Sequence, residues 1–216
     1  MASGTVRAHR RQAGKEARAL TAERAEIRLP YTAGRDDGVR SEMRNGDVLL
    51  FRGRGWLSWL IRKCTHSLYS HAGVLFRYCG RVYCLEAVGK GVRLAPVSRL
   101  VDHYPDGIFY CSLEANHQER DSAIDFGFQQ LSLPYDVIGL VRFALALIFC
   151  TRRPVKSPTR WFCSELVAAA YERAGFPLTP CLPCYASPAD LINGQKIKLQ
   201  GRLTPAEVSG PMPPSA

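Results

Sequence analysis

No stretch of these 216 residues is long and apolar enough to cross a bilayer, which takes roughly 20 consecutive apolar residues. The most apolar run, Val137 to Cys150, is shorter and contains Arg142, so it reads as a buried helix. An apolar segment behind the N-terminus is missing too. The first residues are polar and basic, no secretory signal is visible, and the expected location is cytoplasmic. In such a reducing compartment the eight cysteines are not expected to form a disulfide framework. They read instead as small buried hydrophobes, with at least one open to chemistry. Acidic residues are short as well, 19 against 29 Lys and Arg, which leaves a formal net charge of +10. A polyanionic surface, nucleic acid or anionic lipid, is therefore a partner to consider. Internal repeats are absent. The length suits one well-buried domain with loose ends rather than two, and 46% hydrophobic with 22% charged residues is ordinary for a soluble globular protein.

Three segments follow from the composition. Residues 1–40 form a basic arm, partly helical or disordered, in which Ala13 to Leu29 is rich in Ala, Glu and Arg and Gly34 to Gly38 reads as a linker. This arm is where contact with an anionic surface is expected. Residues 204–216 form a disordered Pro-rich tail. Between them, residues 41–203 carry the folded domain. Asn45-Gly-Asp47 is a turn feeding a strand at Val48–Phe51. Apolar spacing gives a helix from Trp56 to Ile61. Ala72–Phe76 and Arg81–Val88 flank a Gly80 turn as a hairpin, and Gly91–Leu94 and Gly107–Leu113 are further strands. The chain then turns helical at Gln118–Leu131, Val137–Cys150 and Cys163–Ala174, with Ser187 capping one more helix that has Pro188 in its first turn. Strands first and helices after give an α+β domain.

Cys163 stands where a helix begins, with Leu166, Val167, Ala170, Tyr171 and Ala174 on one apolar face. Free N–H groups and the helix dipole there favour a thiolate, and one N–H is a candidate donor to an oxyanion. A buried structural cysteine is the alternative. His71 stands at the mouth of an apolar strand, and imidazole is the side chain suited to move a proton at neutral pH. Glu86 lies between Leu85 and Ala87 on the next strand. It either pairs with His71 across the hairpin, fixing the ring as a third triad member does, or points to solvent. His66, in a segment of loop composition, and His103 and His117, in polar loops, read as surface residues. Tyr135, in Leu133-Pro-Tyr-Asp136, either donates into a pocket or caps a turn, and composition favours the turn. Cys181 and Cys184 invite a redox or zinc reading, the latter with Cys79 and Cys84. Neither is demanded: a redox pair normally opens a helix after a strand, and nothing brings the two cysteine pairs together.

The ordered set Asn45-Gly-Asp-Val48, Ser70-His-Ala-Gly-Val74, Leu85-Glu-Ala-Val-Gly-Lys-Gly-Val92, Leu133-Pro-Tyr-Asp136 and Phe162-Cys-Ser-Glu-Leu166 resembles the YiiX-like branch of the NlpC-type cysteine peptidases. The resemblance runs from about residue 42 to about 193. It implies a circularly permuted papain-like fold, a small antiparallel sheet or barrel packed against helices, with the histidine strand ahead of the cysteine helix. It also implies a catalytic triad of Cys163, His71 and Glu86, with Tyr135 and Ser164 lining the substrate cleft, and neither metal nor cofactor. The implied activity is a thiol hydrolase that cleaves an amide in a peptide or acyl-amide substrate. Lipid-directed amidase, esterase or acyl-transfer chemistry with the same triad is the alternative, and a non-enzymatic binding module the second.

Overall fold

The computed structural model describes residues 42–136, 139–140 and 160–203. The chain divides into two units, Met1–Arg35 and Asp36–Ala216, and every element below belongs to the second. The basic arm, most of the Val137–Cys150 run and the Pro-rich tail lie outside the described residues.

Six strands form one antiparallel sheet: β1 Val48–Phe51, β2 His71–Tyr78, β3 Arg81–Val88, β4 Gly91–Pro96, β5 Ile108–Leu113 and β6 Ile197–Arg202. Their order is β4-β3-β2-β1-β5-β6. The sheet is open, so of the two architectures expected it is the sheet and not the barrel. Strand β6 carries no element in the sequence reading, although Ile197 and Leu199 alternate with Lys198 and Gln200 as a half-buried edge strand requires.

Side-chain alternation splits the core in two. Val48, Leu50, Ala72, Val74, Leu85 and Ala87 face one cluster, shared with Ile124, Leu166, Val167 and Ala170. These last four come from helices α3 (His117–Gln129) and α4 (Cys163–Arg173). Leu49, Phe51, Leu75, Cys84 and Tyr110 face the other cluster, with Val97 and Leu100 of α2 (Val97–His103). Helix α1 (Trp56–Thr65) contributes Leu57 and Ile61 to a third cluster with Leu140 and Phe162. A short helix α5, Pro188–Asn193, begins at Ser187 as expected, with Ser187 accepting from the Asp190 N–H.

Both large helices are pinned to the Asn45–Asp47 turn. Asp47 has no solvent exposure. Its carboxylate accepts from the Arg44 N–H, the Tyr110 hydroxyl, the Leu113 N–H and the Arg120 guanidinium on α3. The Tyr171 hydroxyl on α4 donates to the Gly46 carbonyl. A buried charge is tolerated only when it is paired in this way.

Candidate active site

Cys163 is the first residue of α4, entered from an extended Phe162 at φ −100° and ψ 165°. The residue is 2% exposed. Its sulfur accepts hydrogen bonds from the backbone N–H groups of Ala72 and Ser164 and shares one with the His71 ring. Ser164 is itself buried, and what it presents to the sulfur is its main chain.

His71 opens β2, where its Nε2 lies 2.7 Å from Glu86 Oε2, which leaves Nδ1 as the ring nitrogen for the sulfur. The β2–β3 register pairs Val74 with Leu85. Carried back along β2, it sets Gly73 opposite Glu86 and His71 one pleat further on, on the same sheet face. Gly73 is needed between them: a Cβ there would meet Cys84 Sγ at 2.3 Å and the Leu85 carbonyl oxygen at 2.9 Å. Glu86 has no exposure and so does not point to solvent. Its other oxygen, Oε1, accepts from Arg93 Nε at 2.9 Å and Arg93 Nη2 at 2.8 Å. The four side chains Cys163, His71, Glu86 and Arg93 form one continuous chain of contacts, from a buried sulfur to a half-exposed guanidinium.

Two aromatic rings hold the imidazole from the side. Phe51 lies 4.9 Å from it, centroid to centroid, and Tyr104 stacks parallel at 6.1 Å with 3° between planes. Tyr135 comes in along a separate route. Its segment is bonded to β4 through Val92 N–H to Leu133 carbonyl and Ser132 N–H to Val92 carbonyl. On the other side Asp136 N–H donates to the Trp161 carbonyl, two residues ahead of Cys163. Gly91, at φ +109°, permits this docking, because a Cβ there would meet the Leu133 carbonyl at 2.5 Å. Tyr135 thereby sits in the electrostatic neighbourhood of Cys163 and Tyr104.

The charges follow from this geometry. Burial pushes the Cys163 thiol up, but the charge and hydrogen bond of His71, with the two N–H donors, outweigh it and hold the thiol below its ordinary value. Burial pulls His71 down, while Tyr104, Cys163 and Glu86 together raise it well above an ordinary imidazole. Burial likewise opposes the Glu86 charge, yet His71 and then Arg93 keep its carboxyl below the usual range. Burial and the neighbouring Cys163 raise the Tyr135 phenol, so it stays protonated and able to donate. The arrangement favours a thiolate beside an imidazolium, backed by a carboxylate.

The other described histidines stand on exposed helix ends. His66 ends α1 in the left-handed conformation at φ 52°. His103 and His117 correct the loop expectation: one is the last residue of α2, the other the first of α3, paired with Asp121. The zinc alternative is not supported either. Among the described residues, no three His, Cys, Asp or Glu side chains gather where a metal could be held, and none of the described cysteines, Cys79, Cys84, Cys181 and Cys184 included, is in a disulfide.

Sequence reasoning missed Arg93, Phe51 and Tyr104. Arg93 was within reach: the two-residue Gly89-Lys90 connection fixes the β3–β4 register and sets Glu86 opposite Arg93. Tyr104 follows a helix of seven residues and carries no comparable signal.

Residues 42–180 match the family described as permuted papain-like amidase enzyme, YaeF/YiiX, C92 family. The chain belongs to this family. A relative from Escherichia coli (strain K12), named probable lipoprotein peptidase YaeF, is 25% identical over 178 residues, covering 70% of this chain and 64% of that protein. The chain thus spans somewhat less than two thirds of that relative's length. The crystal structure of metalloprotein yiiX from Escherichia coli O157:H7 superposes with a TM-score of 0.59 at 20% identity, over 74% of this chain and 97% of the other. At that identity the likeness shows the fold, a permuted papain-like one. No helix among the described residues is long and apolar enough to cross a membrane.

Proposed function

We propose that this protein is a thiol-dependent amidase that cleaves a peptide or acyl-amide bond through Cys163, His71 and Glu86. The observation that carries the reading is the Cys163–His71 contact at a helix N-terminus, with the far ring nitrogen held 2.7 Å from a buried carboxylate. Membership in a family of permuted papain-like amidases and the peptidase name of the 25% identical relative support the same class of reaction.

In the first step the Cys163 thiolate attacks the carbonyl carbon, forming a C–S bond and placing negative charge on the oxygen. The backbone N–H of Cys163 and the Tyr135 hydroxyl are the donors assigned to that oxyanion. His71 Nδ1 then gives its proton to the departing nitrogen as the C–N bond breaks, leaving a thioester and a neutral amine. Water attacks the thioester carbonyl, returns its proton to Nδ1, and the acid product leaves as the thiolate–imidazolium pair is restored. Glu86 fixes the ring and balances its charge throughout.

The test is alkylation of the folded protein across a pH series, with each cysteine followed by mass spectrometry, beside turnover of a panel of peptidyl and acyl amides. Cys163 should react fastest, with a midpoint below the roughly 8.5 of a free thiol, and His71→Ala should remove that advantage. Cys163→Ala should abolish turnover and keep the fold. Turnover surviving in the cysteine variant would overturn the assignment.

A further inference from the structure

Helix α1 turns two indoles outward beside the site. Trp56 is 74% and Trp59 58% exposed, two of the four large apolar side chains exposed among the described residues. They lie three residues apart and so share one face, with exposed Lys63 one turn beyond. The opposite face is spoken for, because Leu57 and Ile61 pack with Phe162, Leu140 and Tyr135. The helix is therefore seated by the residue preceding Cys163 and by Tyr135, while Trp56 and Trp59 on its outer face stand exposed.

The charge around that face is mostly positive. From Val48 to Leu85 the sequence contains no Asp or Glu but holds Arg52, Arg54, Arg62, Lys63, Arg77 and Arg81. Arg52, Arg54 and Arg62 cluster about a single carboxylate, Asp106, so one charge answers three. Arg54 bonds to it at 2.7 Å while 69% exposed. Trp is the residue best suited to a membrane–water interface, because its apolar body and polar N–H match the two sides. Exposed indoles rimmed by basic side chains are what an interfacial helix presents to anionic headgroups.

We propose that the outer face of α1, Trp56 and Trp59 with the basic rim of Arg54, Arg62 and Lys63, docks on an anionic lipid bilayer. Docking there places the Cys163 site next to the membrane surface, where acyl-amide or lipid-anchored peptide substrates are concentrated. The docking itself does not depend on the amidase reading, since it involves no catalytic side chain.

The experiment is sedimentation and tryptophan fluorescence of the full-length protein with vesicles of neutral phosphatidylcholine alone or with 30% phosphatidylserine. The chain has three tryptophans, and Trp161 is buried, so a change in emission reports on Trp56 and Trp59. Binding should be at least tenfold tighter to the anionic vesicles, with a blue shift and quenching by brominated lipid. W56A/W59A should lose about tenfold or more, and R62E/K63E most of the preference for anionic lipid. Hydrolysis of a water-soluble amide should stay unchanged in both. Equal binding by the double tryptophan variant overturns the proposal. So does a blue shift that needs only a higher protein concentration, which would mark a contact between copies, or an oligonucleotide captured through the same two indoles. Failure of the amidase reading instead appears as vesicle binding without turnover.

Discussion

Arg93 is the most informative residue to perturb, because it touches neither the sulfur nor the imidazole and acts on both through Glu86. It donates two charge-assisted hydrogen bonds to a carboxylate oxygen that water does not reach. Such bonds are worth about 1.5–3 kcal/mol when fully buried. The Arg93 side chain is 46% exposed, so solvent screens part of the interaction and the lower end applies, about 1.5 kcal/mol. That is about tenfold in rate. Arg93→Met should raise the Glu86 carboxyl and remove a nearby positive charge. Both effects withdraw support from the thiolate. The assay is the pH dependence of Cys163 alkylation, which needs no substrate. The midpoint should move up in Arg93→Met and less in Arg93→Lys, which restores the charge without the fork. Stability should follow the sign of the Glu86 shift. A carboxyl held below its ordinary value stabilises the fold above that value and ceases to as pH falls through the depressed one. Acid unfolding of Arg93→Met should therefore begin at higher pH. A well-folded Arg93→Met with an unchanged alkylation midpoint would refute the reasoning.

Two further predictions concern what holds the site in place. Asp47→Ala removes the carboxylate that accepts from Arg44, Tyr110, Leu113 and Arg120 and strands a buried guanidinium. It should cost about 3–5 kcal/mol in urea unfolding, and a loss under 1 kcal/mol would contradict the account of the network. Gly73→Ala drives a methyl against Cys84 Sγ and the Leu85 carbonyl. It should destabilise by about 1–3 kcal/mol and impair Cys163 reactivity by shifting His71 from Glu86. Adding Cys84→Ala should restore part of the loss, since only the sulfur contact is relieved, and restoration in full would show that the backbone contact is unimportant.

Much of this protein is written locally. The strands at Val48, His71, Arg81, Gly91 and Ile108 and the helices at His117, Cys163 and Pro188 follow from apolar periodicity and caps, which act within a few residues. Short elements with weak periodicity escaped: α2, and the edge strand β6, which pairs with β5 and buries Ile197 in the core. The cysteine at a helix start and the histidine at a strand mouth were legible as candidates because each has a local setting suited to its chemistry. Whether Glu86 faced inward was not, since the same alternation suits a carboxylate in water or one in a buried pair. Register decided that, by setting His71 and Glu86 on one pleat face and Arg93 opposite Glu86. Tyr104 and Phe51 reach the imidazole from separate elements, and the segment carrying Tyr135 is brought near Cys163 by its bonds to Val92 and Trp161. Such contacts join positions far apart in the chain, so composition and spacing carry no trace of them. The sequence by itself determined which chemistry the chain has to offer. The tertiary structure decided which groups meet and, by setting them against one another, which way the ionisation of each is shifted.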